Sequence, residues 1–210
     1  VTISYTVTGC SGPATATYAF TVTAFNGISG DVLFTSGAYY GPVRVWLINY
    51  DPSTMNLTAV DSTVVYSSGT SVYYQFLGMG TDSFRVKAAV DSTSGTTGYI
   101  PTYHTADFYW YNATVINHVA GTGDINKDIT MAFGTPTTGP GFIGGNVTTG
   151  ANKGTSTAIP AVGLAVYVIN TTTNTIIQQT KTDASGNYSF SNLPVGQTYK
   201  VFPEAMNYLT

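Results

Sequence analysis

The chain has 210 residues and a net charge of −3, and only 8% of its side chains are charged, against about 25% in an average soluble protein. Seven Lys and Arg residues provide no basic surface for a polyanion, which argues against nucleic acid as a partner. No apolar run reaches the length of about 18 residues that a membrane-spanning helix needs, so no membrane span is predicted. The 43% apolar content is enough for two small cores.

The chain opens on an alternation of apolar residues with Thr and Ser, which is the period of a half-buried strand. Its apolar members are Val1, Ile3, Tyr5 and Val7. A second alternation follows from Ala16 to Ala24. Clusters of Gly, Ser, Asn and Pro then break the sequence about every ten residues, a spacing typical of sandwiches and barrels. These patterns predict an all-β fold.

Four short motifs recur in the same order at offsets of 114 to 121 residues, which indicates an internal repeat. The matched pairs are Ile28–Val32 with Ile143–Val147, Val45–Asn49 with Val166–Asn170, Tyr74–Phe76 with Tyr188–Phe190, and Phe84–Val86 with Tyr199–Val201. Each copy reads as a series of strands and turns that suits a Greek-key sandwich. The sequence therefore predicts tandem Greek-key β-sandwiches of immunoglobulin-like type.

The segment Thr182–Val201, TDASGNYSFSNLPVGQTYKV, resembles the core motif of carboxypeptidase regulatory-like and collagen-adhesin B-type repeats. The resemblance covers residues 141–210 well and residues 27–90 more loosely. It implies a prealbumin-like fold and a stalk or spacer role in a secreted bacterial surface protein. Collagen-adhesin B-type domains often carry a Lys-to-Asn isopeptide bond, but neither Gly141–Thr149 nor Ile28–Thr35 contains a Lys. The resemblance therefore does not extend to that bond.

The repeat divides the chain into an N-terminal strand segment (1–26), a first sandwich with an aromatic insertion (27–135) and a second sandwich (141–210). Ile129–Phe133 is predicted to close the first sandwich, whereas only Tyr208–Thr210 occupies the corresponding place in the second. The second sandwich is thus expected to lack its last strand and to expose an unpaired edge.

Two interpretations of this missing strand remain open. In the first, the strand carrying Val1, Ile3, Tyr5 and Val7 completes the second sandwich of a neighbouring subunit, and copies join head to tail into a fibre. In the second, the sequence is an excerpt of a longer chain that supplies its own strand. On either interpretation we expect a secreted, cell-surface protein, and if it is exported we expect its signal to have been removed.

No catalytic or cofactor motif accompanies the two histidines, His104 and His118, so the sequence predicts a non-enzymatic protein without a cofactor. Asp124, Asn126 and Asp128 have the alternate spacing of calcium ligands, although a solvated loop is the simpler interpretation. Cys10 is the only cysteine and is expected to be a small buried residue, with an intermolecular disulfide as the alternative.

The densest aromatic run, Phe108–Tyr111, lies in the insertion of the first sandwich. It could present a stacking platform for sugar rings, or it could simply pack in the core. The alternative function is therefore a carbohydrate-binding or stalk module of a larger secreted protein, with host or environmental glycans as partners. Ser62 and Ser92 lie in Asp-Ser-Thr triplets that resemble O-glycan acceptors, and five Asn-x-Ser/Thr triplets also occur.

Overall fold

The structure is a computed structural model that describes residues 2–9, 12–19, 24–53, 56–90, 98–135, 137–149 and 159–204. All regular elements in these ranges are β-strands, numbered here in chain order, and none of these ranges contains a helix. The predicted all-β class is therefore confirmed. A search of the same residues for a helix long and apolar enough to cross a membrane finds none.

The N-terminal segment forms a hairpin of β1 (Thr2–Gly9) and β2 (Gly12–Ala19). The register is continuous from Thr2 opposite Ala19 to Gly9 opposite Gly12, and it pairs the apolar alternation of β1 with that of β2. No third described strand joins this ladder. An isolated two-stranded hairpin is only marginally stable in water, so this segment gains by packing against another surface.

Residues 24–135 form two main sheets and one small ladder. Their strands are β3 (Gly27–Leu33), β4 (Tyr39–Asp51), β5 (Asn56–Gly69), β6 (Ser71–Leu77), β7 (Asp82–Val90), β8 (Tyr99–Ile100), β9 (Thr102–Tyr103), β10 (Ile116–His118), β11 (Gly123–Asp124), β12 (Ile129–Thr130) and β13 (Ala132–Phe133). One sheet has the order β10-β7-β4-β5 with β9 also on β7, and the other is built around β3. β8 and β13 pair with each other.

The core of this first unit joins its two sheets. Alternate residues of β3, β4 and β7 point into it, because a strand with one buried face turns every second side chain inward. The buried members from these three strands are Ile28, Val32, Val43, Val45, Leu47, Phe84, Val86 and Ala88. Ile129 and Met131, from the end of the unit, belong to the same cluster, so the predicted closing strand contributes to the core.

Residues 137–204 form a second, smaller set of strands. They are β14 (Gly141–Asn146), β15 (Thr148–Thr149), β16 (Ile159–Pro160), β17 (Ala165–Asn170), β18 (Thr175–Lys181), β19 (Asn187–Leu193) and β20 (Tyr199–Pro203). β14 pairs with β19, β15 pairs with β16, and β17 lies between β18 and β20. A second core joins β17 to β19 through Val166, Val168, Ile177, Phe190 and Leu193.

The strand registers repeat between the two units at the positions that the sequence motifs align. Ile28 lies opposite Phe76 in the first unit, as Ile143 lies opposite Phe190 in the second. The central strands agree in the same way: Ile48 pairs with Arg85, and Ile169 pairs with Lys200. Both central strands also carry a β-bulge, between Leu47 and Ile48 and between Val168 and Ile169. A shared bulge is a detail of local geometry that a chance likeness of short motifs would not produce.

Candidate functional site: the open edge of β14

The first unit closes its β3 sheet with its own chain. β6 pairs antiparallel along one edge of β3, and β11 and β12 pair parallel along the other. Between them the Lys127 amide donates to the Ser29 carbonyl at 2.9 Å, and after them the Met131 amide donates to the Leu33 carbonyl at 2.9 Å. The segment 123–131, here called the closing segment, thus satisfies the outer backbone groups of β3.

The closing segment passes directly over a glycine of β3. A Cβ built on Gly30 would lie 2.5 Å from the carbonyl carbon of Lys127, so only glycine leaves room for this approach. The Tyr74 hydroxyl, on the neighbouring strand, donates to the Lys127 carbonyl oxygen. Burial raises the pKa of Tyr74 above its ordinary value, with Asp128 and Asp31 adding to the effect, so the phenol remains a proton donor.

Both histidines support the closing segment. The His104 Nδ1 lies 2.6 Å from the Asp128 carbonyl oxygen and donates to it, while the Asp128 carboxylate accepts from the Asp31 amide at 2.9 Å. The His118 Nδ1 lies 2.8 Å from an Asp124 carboxylate oxygen. The structure therefore gives these histidines positioning contacts, which sequence reasoning did not find because the partners are adjacent only in the fold.

The residues considered as calcium ligands have other partners. Asp124 contacts His118 and lies 3.6 Å from Lys127 Nζ. The Asp128 carboxylate binds the backbone of β3, and Asn126 adopts a left-handed conformation with φ of 59°. Among the described residues, no group of three or more His, Cys, Asp or Glu side chains could hold a metal ion.

The corresponding edge in the second unit is open as far as the described residues show. β14 pairs with β19, and no described strand lies along its other edge. Phe142, the second residue of β14, is 81% exposed. β14 carries no charged side chain and no proline, which are the usual devices that prevent an exposed edge from pairing. We call β14 with the core residues that line it the acceptor edge.

The core beside the acceptor edge is incompletely covered. Ile28, Tyr74, Phe84 and Val86 of the first unit are at most 5% exposed. Their counterparts in the second unit, by the aligned motifs, are only partly buried: Ile143, Tyr188, Tyr199 and Val201. Phe76 and Phe190, which lie directly opposite Ile28 and Ile143, do not differ, since both are 2% exposed. The core of the second unit is therefore less fully buried than that of the first at several positions on and beside β14, but not at Phe190.

Of the four residues predicted to form an inter-subunit strand, Val1 lies outside the described residues. Ile3 and Tyr5 lie in β1, opposite Tyr18 and Ala16. Val7 is also in β1 and is 50% exposed. The structure thus places the predicted strand in a hairpin with β2, a pairing partner that sequence reasoning had not assigned to it.

The aromatic run of the insertion is mainly packed. Tyr109 is 7% exposed and joins a buried cluster with Tyr167 of the second unit. The ring centroids of Trp110 and Tyr50 are 4.9 Å apart. The Arg85 guanidinium lies 5.6 Å from the Trp110 ring centroid. Burial lowers the pKa of Arg85. Only Tyr111 of this run is more than half exposed, at 51%. The run therefore offers no continuous exposed platform for a sugar.

Trp110→Ala is expected to lower the free energy of unfolding by about 2 kcal/mol, somewhat less than for a fully buried Trp, because it removes the partner of Tyr50 and Arg85. Chemical denaturation measures this loss, with Tyr111→Ala as the matched control in the exposed part of the run. If Trp110→Ala instead abolished binding to a glycan array and left stability unchanged, the carbohydrate-binding alternative would be favoured.

Of the two glycosylation candidates, Ser62 lies within the described residues. Ser62 is exposed on β5, next to Asp61, whose carboxylate accepts from the Ser62 amide at 2.7 Å. Ser92 lies outside the described residues, as does Cys10. Exposure on a strand leaves the Ser62 hydroxyl accessible to a modifying enzyme.

A buried polar cluster between the two units was not predicted. Lys87 Nζ binds Glu204 Oε2, and the Glu204 carboxylate also accepts from the hydroxyls of Tyr103 at 2.7 Å and Tyr167 at 2.9 Å. All four residues are at most 1% exposed. Lys87 and Tyr103 come from the first unit, and Tyr167 and Glu204 come from the second, so the cluster links the two.

No protein-family model matches the chain, and no curated protein matches it. The geometry of the acceptor edge and the hairpin is therefore the basis for the functional argument.

Proposed function

We propose that the protein is a structural subunit of an extracellular bacterial filament or adhesive surface fibre, and that its copies join head to tail by β-strand complementation. In this proposal the two units are tandem Greek-key sandwiches of prealbumin-like type. The N-terminal strand of one copy completes the second sandwich of the next. The protein has no catalytic role and uses no cofactor, and its main partners are copies of itself.

One observation carries the proposal: the edge that the first unit closes with its own segment has no described strand along it in the second. An unpaired row of backbone donors and acceptors beside a partly exposed core is a site for strand addition. An added strand would satisfy the backbone groups and cover Ile143 and Val201 together. Because donor and acceptor are different surfaces of the same chain, the contact propagates instead of closing.

The N-terminal hairpin has the properties of a donor. Its ladder includes no other described strand, and Val7 is half exposed. Its residues Thr2–Gly9 carry no charge, so burying them against the second core leaves no unpaired ion. One edge of β1 pairs with β2, and no described strand lies along its other edge, where β14 of another copy would pair.

Electron microscopy of the native protein tests the proposal directly, with fibres as the expected result. A synthetic peptide of residues 1–9 should bind at the acceptor edge and shorten the fibres, while a peptide with the same residues in scrambled order should have no effect. The alternative is a stalk module whose own chain supplies the strand. It would be favoured if the native polypeptide were much heavier than residues 1–210 and remained monomeric at high concentration.

A further inference from the structure

We propose that β1 of the neighbouring copy lies parallel to β14 and that its backbone passes over Gly145. This inference rests on the proposed function, in which β1 fills the acceptor edge, and it adds the direction of the strand and its point of closest approach.

The direction follows from the way in which the first unit closes itself. β11 and β12 run parallel to β3, from Gly123 opposite Gly27 to Thr130 opposite Leu33. β14 corresponds to β3, because both pair with the strand beside them in the same register. A segment that covers the same part of the second core in the same way must therefore also run parallel to its acceptor strand.

The place where the incoming backbone comes closest to β14 is inferred from two corresponding glycines, Gly30 and Gly145. Gly145 corresponds to Gly30, over which the Lys127 backbone passes. At Gly145 the place of a Cβ lies 2.5 Å from the hydroxyl of Tyr188, so the end of that side chain occupies the space that the closing segment fills in the first unit. Tyr188 is only partly buried, so its ring is able to move aside for an incoming strand.

The first unit also indicates what Tyr188 does after the strand arrives. Its counterpart Tyr74 donates its hydroxyl proton to the backbone carbonyl of Lys127, in the middle of the closing segment. Tyr188 is then expected to donate to a backbone carbonyl of the neighbouring β1. This hydrogen bond does not depend on the side chains of β1, because its acceptor is a backbone carbonyl oxygen.

Side-chain size distinguishes β1 from β2 as the occupant. The closing segment fills the first core with Ile129 and Met131, which are at most 1% exposed. β1 repeats large apolar residues at the same spacing of two, whereas the paired positions of β2 include Ala14 and Ala16. In the second unit, a groove that lacks counterparts of Ile129 and Met131 is filled better by the large side chains of β1 than by the alanines of β2.

Disulfide trapping in assembled fibres tests the direction, in a background with Cys10→Ser. Ser4 and Thr8 are four residues apart on β1, as Phe142 and Asn146 are on β14. Parallel strands bring Ser4→Cys to Phe142→Cys and Thr8→Cys to Asn146→Cys, and each double variant should give covalent ladders under oxidation. The exchanged pairs, which an antiparallel strand would bring together, should remain monomeric on a denaturing gel.

The outcomes separate this inference from the proposed function. Ladders from the exchanged pairs alone would overturn the parallel direction and leave strand complementation standing. Fibres in which neither set forms disulfides would overturn both, because β1 would not lie on β14. An absence of fibres in the native protein and in every variant would overturn both as well.

Gly145→Val tests the point of approach. Gly145 does not have a left-handed φ, so valine fits the backbone of the free subunit, and only Tyr188 must shift. In the fibre the valine would meet the incoming backbone, and the critical concentration for assembly should rise about tenfold or more. Gly144→Val is the matched control, since a Cβ there meets only the Tyr188 carbonyl oxygen at 3.4 Å. Normal assembly of Gly145→Val would overturn the proposed contact.

Discussion

Val7→Asp is expected to abolish fibre formation at concentrations at which the native chain assembles fully. Val7 is 50% exposed, so the free subunit tolerates an aspartate there. In the fibre the carboxylate would enter an apolar groove without a partner, which costs several kcal/mol. A loss of about 3 kcal/mol per contact raises the critical concentration about 100-fold, which sedimentation at a series of concentrations measures.

The neighbouring residue supplies the control for this experiment. Thr8 is exposed and belongs to the polar alternation of β1, so Thr8→Asp adds the same charge on the opposite face. Thr8→Asp should shift the critical concentration only a few-fold, through charge repulsion that added salt reduces. Equal effects of the two substitutions would argue against a strand that inserts one face, and unimpaired assembly of Val7→Asp would remove β1 from the contact.

The sequence was sufficient to predict the all-β class, because alternation and regularly spaced turns are local signals. The recurrent motifs also aligned residues that have matching registers in the structure, such as Ile28 with Ile143. The register of a strand with one buried face is set by its apolar alternation, so motifs of alternate core residues can be aligned from the sequence. Tyr208–Thr210, where the sequence predicts that the closing strand is missing, lies outside the described residues.

Other features depend on contacts between distant parts of the chain. The parallel placement of β11 and β12 could not be read from two-residue strands, since such short segments have no measurable period. Sequence reasoning also assigned no partner to β1, although it found the alternation that begins at Ala16, because an alternation predicts a strand but not the strand with which it pairs. The Lys87–Glu204 pair spans 117 residues and has no local pattern. A lysine in a strand is ordinarily expected to be exposed.

Lys87→Met is expected to have the largest effect on stability, lowering the free energy of unfolding by about 3–5 kcal/mol. The substitution leaves Glu204 buried with a negative charge, and its remaining side-chain donors among the described residues are the hydroxyls of Tyr103 and Tyr167. Denaturant titration measures the loss. Lys181→Met, at an exposed position, should change stability by less than about 0.5 kcal/mol.

The double variant Lys87→Met/Glu204→Gln separates the pair from its surroundings. The glutamine that replaces Glu204 would be neutral: its amide oxygen would still accept from one tyrosine hydroxyl, and its amide nitrogen would donate to the hydroxyl oxygen of the other. The double variant should therefore be more stable than Lys87→Met alone. A double variant no more stable than the single one would show that packing around Lys87, and not its charge, sets the loss. Because the pair joins the two units, we also expect the single variant to unfold in two steps where the native chain unfolds in one.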